Sequence, residues 1–181
     1  MKETIQRLFK VEPGEGPAVG LTLLLSVVLG LPMLFSVTVG GALFLAGFAA
    51  DNLPVIYILA SVVLPVVGLA HLRLARRFSF VAMRLGTLLF LAMVSAVLLL
   101  VLTLTSSRWP ALVLFVWCGA EIHLAALVMW STANRVFTVR QGKRLYGLVG
   151  SGEILAAIVG GAATPFLTRT LGTVNLLAMS L

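Results

Sequence analysis

Acidic side chains are scarce in this chain, and so is cysteine. Among 181 residues there are thirteen Lys and Arg but six Asp and Glu, and charged residues make up only 10%. A soluble domain has nearer a quarter of charged residues. The single cysteine, Cys118, excludes a disulfide framework within the chain and a metal cluster built from cysteines. No nucleophile–base pair and no set of metal ligands stands out, so we expect no enzyme, no metal site and no cofactor.

Long apolar runs make up most of the chain. Hydrophobic residues make up 60% of the chain, and the mean hydropathy is +1.12. Runs of about 20 apolar residues cross the ~30 Å hydrocarbon core of a bilayer. The sequence therefore predicts an all-α, polytopic protein that is integral to a bacterial inner or plasma membrane. The net charge of +7 lies between these runs, so membrane topology and anionic lipids explain it better than nucleic acid.

The apolar pattern predicts five full spans and the start of a sixth. We expect a transmembrane bundle over residues 17–181, preceded by a cytoplasmic interfacial segment over residues 1–16. Because the last apolar run is far shorter than a span, we expect the six-helix half of a larger bundle. The predicted helices cover about residues 17–47, 53–74, 80–105, 111–134, 145–167 and 174–181, the last one truncated.

Lys and Arg residues concentrate at one end of the predicted helices. Only Arg108 and Arg169 fall at the other end. Cytoplasmic loops carry the excess of Lys and Arg in membrane proteins, which predicts a cytoplasmic N-terminus. The eleven residues at the richer end are Lys2, Arg7, Lys10, Arg73, Arg76, Arg77, Arg84, Arg135, Arg140, Lys143 and Arg144.

Two ionisable residues interrupt the fourth predicted helix near its middle. Glu121 lies about ten residues, or roughly 15 Å, inside the apolar run. Placing a charged side chain at this depth costs on the order of 2.5–3.5 kcal/mol, so such residues usually mark a pathway. Glu121 and His123 point roughly 200° apart. We expect Glu121 to face a translocation path and His123 to pack against a neighbouring helix. The alternative is a purely structural Glu121, either protonated or paired.

A second polar group follows on the His123 side of the same helix. Asn134 lies eleven residues after His123, a spacing that returns to the same face. We therefore treat Glu121, His123 and Asn134 as candidate substrate-binding residues for a small-molecule solute.

The loop predicted over residues 135–144 is strongly basic. Arg135, Lys143 and Arg144 lie within it, and Glu153 follows about one turn into the fifth helix. We interpret these four residues as a gating group in which Glu153 pairs with a cation. Topogenic charge alone, or attraction of anionic lipids, is the alternative explanation.

Small residues recur along the fifth predicted helix at four-residue spacing. Gly152, Ala156 and Gly160 form this stripe, which is typical of close packing between two membrane helices. Gly147 and Gly150 precede it, but no strand does, so the glycines do not make a nucleotide-binding fingerprint.

The stretch MWSTANRVFTVRQGKRLYGLVGSGEILAAIVGG resembles a signature of the ATP/ADP translocase (nucleotide transporter) family, a branch of the major facilitator superfamily. The segments EGPAVGL and ALFLAGFAADNLPVIYI agree with this resemblance in their order and spacing. The matching positions in the signature are Trp130, Ala133, Asn134, Phe137, Lys143, Arg144, Tyr146, Gly147 and Gly150.

The resemblance implies a twelve-helix transporter of two six-helix halves that exchanges ATP and ADP or related nucleotides. The partner is then the second half, and the solute is small, with anionic and nucleotide-like solutes as the first classes to test. The exchangers carry a basic residue followed by Asp late in their first helix, where this chain has Gly40 and Gly41. A second hypothesis therefore stays open: a non-transporting membrane anchor or sensor, coupled to a soluble module beyond residue 181.

Overall fold

The computed structural model describes residues 11–181, which form helices and no strand. Five helices in this range are long and apolar enough to cross a membrane, which confirms the predicted all-α class and the five long apolar helices for these residues. Most of the predicted interfacial segment, with Lys2, Arg7 and Lys10, lies outside the described residues. The helices are α1 (Gly16–Gly47), α2 (Leu53–Ala75), α3 (Phe80–Leu104), α4 (Trp109–Val136) and α5 (Val139–Leu171), with 3₁₀ helices at Ala50–Asn52 and Asn175–Ser180.

Helices α1 and α4 organise the bundle. Helix α1 packs against α5, α4 and the C-terminal 3₁₀ helix, whereas α2 and α3 pack mainly against α4. Leu114 and Cys118 of α4 meet Val39 of α1 in an apolar core. Helix α2 contributes little to the interior, since Ile56 is its one buried residue. The chain therefore leaves much of α2, and the face of α4 beside it, open.

The stripe of small residues on α5 packs against α1. A Cβ placed on Gly152 lies 2.6 Å from the Cβ of Ser26, and a Cβ placed on Gly30 lies 2.8 Å from the Cβ of Ala156. A Cβ placed on Gly160 overlaps a leucine of α1. Without side chains at these glycines, the two backbones approach closely and gain van der Waals contact, which favours helix association in lipid.

The connection between α4 and α5 is far shorter than the sequence predicted. Helix α4 continues to Val136 and α5 begins at Val139, so the predicted loop over residues 135–144 is almost entirely helical. Thr138 Oγ1 accepts a hydrogen bond from the Gln141 N–H, and Gln141 Oε1 accepts one from the Thr138 N–H. This capping box starts the helix. The apolar pattern missed it because the first turns of α5 are polar.

The C-terminal segment also differs from the prediction. Helix α5 continues to Leu171 and is followed by Gly172, whose φ of 84° lies in the left-handed region that favours glycine. The chain then forms the 3₁₀ helix Asn175–Ser180 instead of the start of a sixth α-helix. Leu176 and Leu177 are fully buried in the core cluster that includes residues of α1, α3 and α4.

Aromatic and cationic side chains mark the two ends of the bundle. At one end the Arg108 guanidinium lies 5.3 Å from the ring centroid of Phe48. At the other end the Arg135 guanidinium lies 4.0 Å from the ring centroid of Phe80. We call this second end the basic end. Its described cations are Arg73, Arg76, Arg77, Arg84, Arg135, Arg140, Lys143 and Arg144.

Candidate functional site

Helix α4 directs Glu121 and His123 to opposite faces, as its geometry requires. Glu121 is only 4% exposed and lies beside Ser36 of α1, whereas His123 is exposed. The structure therefore reverses our expectation that Glu121 faces an open path and that His123 packs against a neighbouring helix. The reason is that small residues on the Glu121 face of α4, together with Gly40, bring α1 onto that face.

The contact around Glu121 is tight and incompletely hydrogen-bonded. Cys118 Sγ donates to the carbonyl oxygen of Ser36 at 3.2 Å, and a Cβ placed on Gly40 lies 2.8 Å from that sulfur. Among the described residues, neither Glu121 Oε2 nor Ser36 Oγ has a hydrogen-bond partner, and no described ion pair includes Glu121. Buried polar groups are normally satisfied, so this carboxyl is a costly residue to keep at mid-depth.

A groove of about 630 Å³ lies between α2 and α4, on the open side of α4. Pro65 and Gly68 contribute to its α2 wall, and His123, Ser131 and Asn134 supply polar groups on α4. His123 Nδ1 lies 2.9 Å from the carbonyl oxygen of Gly119. A carbonyl oxygen only accepts, so Nδ1 is the donor and Nε2 is the ring atom left for a ligand.

Asn134 belongs to a cluster that joins α4 to α5 near the basic end of the groove. Tyr146 Oη donates to Asn134 Oδ1 at 2.5 Å, and the rings of Trp130 and Tyr146 meet edge to face with centroids 5.5 Å apart. Gly150 lies beside the Trp130 ring, where a Cβ would make an ordinary van der Waals contact at 3.6 Å. The structure thus brings His123 and Asn134 to one groove, with Trp130 between them along the helix, and leaves Glu121 outside it.

Glu153 lies deeper than the sequence predicted. Because α5 begins at Val139, Glu153 is fourteen residues, or about 21 Å, from the start of its helix. His123 is thirteen residues, or about 20 Å, from the end of α4 at Val136, at a similar depth. Glu153 shares the stripe of Tyr146 and Gly150 on α5, at spacings of seven and three residues.

The predicted gating group does not assemble. Glu153 makes no described ion pair with Arg135, Lys143 or Arg144, because the described ion pairs join Arg144 to acids before α1. Arg135 stacks on a ring of α3 instead, and Lys143 is exposed. The early start of α5 explains this result, since it moves Glu153 away from the basic end.

An ionic cluster that the sequence analysis missed ties the start of α1 to the first turns of α5. Arg144 pairs with Glu12, and its Nη2 lies 2.6 Å from Glu15 Oε1. Gln141 Nε2 donates to the same oxygen at 3.0 Å. Hydrogen bonds from the Glu12 backbone and from Gln141, together with the charge of Arg144, hold the pKa of Glu15 below its usual value, although burial opposes this. The sequence feature that could have predicted this cluster is the pair of acidic residues just before a helix whose second residue is proline.

Comparison with known proteins gives no relative: no family model, no curated protein and no solved structure matches the chain significantly. Among residues 11–181, no three His, Cys, Asp or Glu side chains come together in a way that could hold a metal ion. The function must therefore be inferred from the groove, the buried carboxyl and the basic end.

Proposed function

We propose that this chain is the first half of a facilitator-type membrane transporter, which moves a small solute by alternating access between two helical halves. One observation carries the proposal. The exposed face of α4 presents His123, Ser131 and Asn134 in a groove whose other lining residues are mostly apolar, and His123 lies roughly 20 Å from the helix end. Polar groups at such a depth are costly against lipid, so they favour a second helical unit or a water-filled cavity over this face.

The groove also suggests the first solute class to test. Trp130 lines the groove and offers an aromatic surface on which a planar base can stack. The Asn134 amide NH₂ remains free to donate because its oxygen accepts from Tyr146. The surplus of cations at the basic end favours the approach of anions. A basic side chain has no room at Gly40, which packs on Cys118. We therefore propose a nucleotide-like or other anionic solute that is bound without a cation in α1.

Uptake by the full-length protein in proteoliposomes tests this function. We expect accumulation of at least one member of a panel of labelled nucleotides and organic anions. His123→Ala and Asn134→Ala each remove a polar group from the groove, so we expect uptake to fall about tenfold or more. Thr103→Ala changes an exposed side chain on α3 that only bonds its own helix, and we expect it to transport normally.

Two results would contradict the proposal. One is the absence of uptake for every solute by protein that is folded and correctly inserted. The other is wild-type uptake by both groove variants.

A membrane anchor or sensor is the second candidate function. The late part of α1 favours it, because Gly40 is packed against α4 and offers no charged group to a passing solute. The full-length gene separates the two ideas: six further apolar spans favour transport, and a long soluble module after one or two spans favours a sensor.

A further inference from the structure

A small cavity of about 230 Å³ opens at the basic end between α2, α3 and α4. Arg84 of α3 and Arg135 of α4 line it together with His71 of α2. Neither arginine takes part in a described ion pair. The Arg135 guanidinium is held 4.0 Å from the ring centroid of Phe80, a geometry that fixes its position without neutralising its charge. Two arginine side chains from different helices thus line one space.

An apolar groove continues from this cavity toward the middle of the membrane. It has a volume of about 540 Å³ and shares His71, Met83 and Thr87 with the cavity. It extends along α3 to Phe90, which lies ten residues, or about 15 Å, from the start of that helix. That distance is about half of a ~30 Å hydrocarbon core, the depth of one leaflet. A Cβ placed on Gly86 meets nothing within 4 Å, so the groove is open there.

We propose that the cavity and the groove together bind one anionic phospholipid. Its phosphate lies between Arg84 and Arg135, and one acyl chain lies in the groove. Charge complementarity and depth both support this occupant, because basic pockets between membrane helices hold anionic headgroups at the level of the membrane surface. Two other occupants fit less well. A free phosphate would not fill the apolar groove, and an apolar helix would not supply a negative charge to the two arginines. The inference does not depend on the proposed transport function.

Native mass spectrometry of the full-length protein in detergent tests this site. Dioleoyl-phosphatidylglycerol is the probe, dioleoyl-phosphatidylcholine is the neutral lipid, and glycerol phosphate is the headgroup without chains. We expect phosphatidylglycerol to be retained and the other two to bind at least about tenfold more weakly. The double variant Arg84→Gln/Arg135→Gln is expected to lose about tenfold or more in affinity, since each arginine contributes to headgroup attraction.

Matched variants separate this site from general surface charge. Arg140→Gln removes one cation from the basic end without touching the cavity, so we expect it to bind like the wild type. Gly86→Leu extends a side chain into the groove from a position where a Cβ meets nothing within 4 Å, and we expect this variant to lose lipid while both arginines remain. Because Gly86→Leu and the single arginine variants act separately, failure of the double variant to fold does not remove the test.

Three outcomes overturn the proposal. In the first, the arginine variants and Arg140→Gln reduce binding equally, as expected for diffuse attraction. In the second, glycerol phosphate displaces phosphatidylglycerol or binds with the same affinity, which indicates a site for free phosphate. In the third, Gly86→Leu retains phosphatidylglycerol as the wild type does, which excludes the groove.

Discussion

At the scale of single residues, the role of Glu121 depends on which face of α4 it occupies. Its carboxyl lies between α1 and α4, with Oε2 buried and unpartnered among the described residues. The sequence identified Glu121 as a residue that hydrocarbon disfavours, but it could not tell which face of α4 would meet another helix. That choice depends on Gly40, which lets the Cys118 sulfur approach α1. A contact of this kind brings together residues far apart in sequence, so no local pattern predicts it.

Glu121→Gln tests whether the carboxyl does more than fill this contact. Glutamine has nearly the same shape but cannot ionise, so we expect the full-length variant to insert and fold. If the carboxyl takes part in the proposed transport cycle, uptake falls about tenfold or more. Ser36→Ala is the matched control, since it removes the neighbouring unpartnered hydroxyl and leaves the carboxyl, and it should transport normally. Wild-type uptake by Glu121→Gln would show that the residue is structural.

Glu15 gives a prediction about pH. The pKa of Glu15 in the folded state lies below the usual value of 4.5, so folding favours the ionised carboxylate. Ionised Glu15 therefore stabilises the folded protein, and this contribution is fully present above pH 4.5. That contribution disappears as the pH falls through the lower, folded-state pKa. At pH 7, Glu15→Gln should therefore melt at a lower temperature than the wild type, and the difference should vanish in acid.

Thermal melting of the purified protein in detergent, followed across this pH range, measures the effect of Glu15. Asp51→Asn, which removes an exposed carboxylate at the other end of the bundle, is the control and should melt like the wild type at neutral pH. A gap between wild type and Glu15→Gln that stays constant with pH would contradict the assignment.

At the scale of helices, the contact between α1 and α5 leaves little room for larger side chains. Gly152→Leu places a side chain where a Cβ already lies 2.6 Å from Ser26. Overpacking of this kind typically costs about 1–3 kcal/mol, and we expect at least that loss in the free energy of unfolding. Gly161→Leu is the control on the same helix, because a Cβ there meets nothing within 4 Å. Equal stability of the two variants would refute the close approach of the helices.

The sequence predicted helices well and their connections less well. Apolar runs predict α1 to α4 because a helix that crosses the hydrocarbon core needs apolar side chains. The stripe of small residues predicts a packing face on α5. The partner of that face, α1, could not be predicted, since spacing along one helix carries no information about its neighbour. The start of α5 was missed because the capping pair Thr138 and Gln141 was not recognised in a basic segment. The groove residues His123 and Asn134 were identified by their common face, but their exposure depends on where α2 lies.

At the scale of the whole molecule, the groove between α2 and α4 stays open along one side of α4, and the proposed transport function requires that water can reach it. Ser131 lies in this groove and is exposed. In the full-length protein in membranes, we expect Ser131→Cys to react with a water-soluble thiol reagent. Leu89→Cys, at a position that is 70% exposed on α3, should face lipid and react poorly. The native Cys118 is buried and should contribute little background.

The labelling experiment also separates the two proposed functions. An aqueous path through the groove would be supported if Ser131→Cys reacts rapidly and if a transported solute slows that reaction. If Ser131→Cys reacts as slowly as Leu89→Cys under all conditions, the groove is closed by protein or lipid, and the anchor or sensor becomes the better proposal.

The two-residue connection between α4 and α5 limits where this protein can be altered. Phe137 is 5% exposed and packs in the core, while Thr138 caps α5. An epitope tag inserted between them must pull an aromatic ring out of the interior and uncap a 33-residue helix. The exposed segment around Ser106, at the opposite end, buries no aromatic ring, and an insertion there can leave the contact of Arg108 with Phe48 in place. Reporter insertions that map membrane sidedness therefore belong in that segment, and tags placed at the short connection report on damage and not on topology.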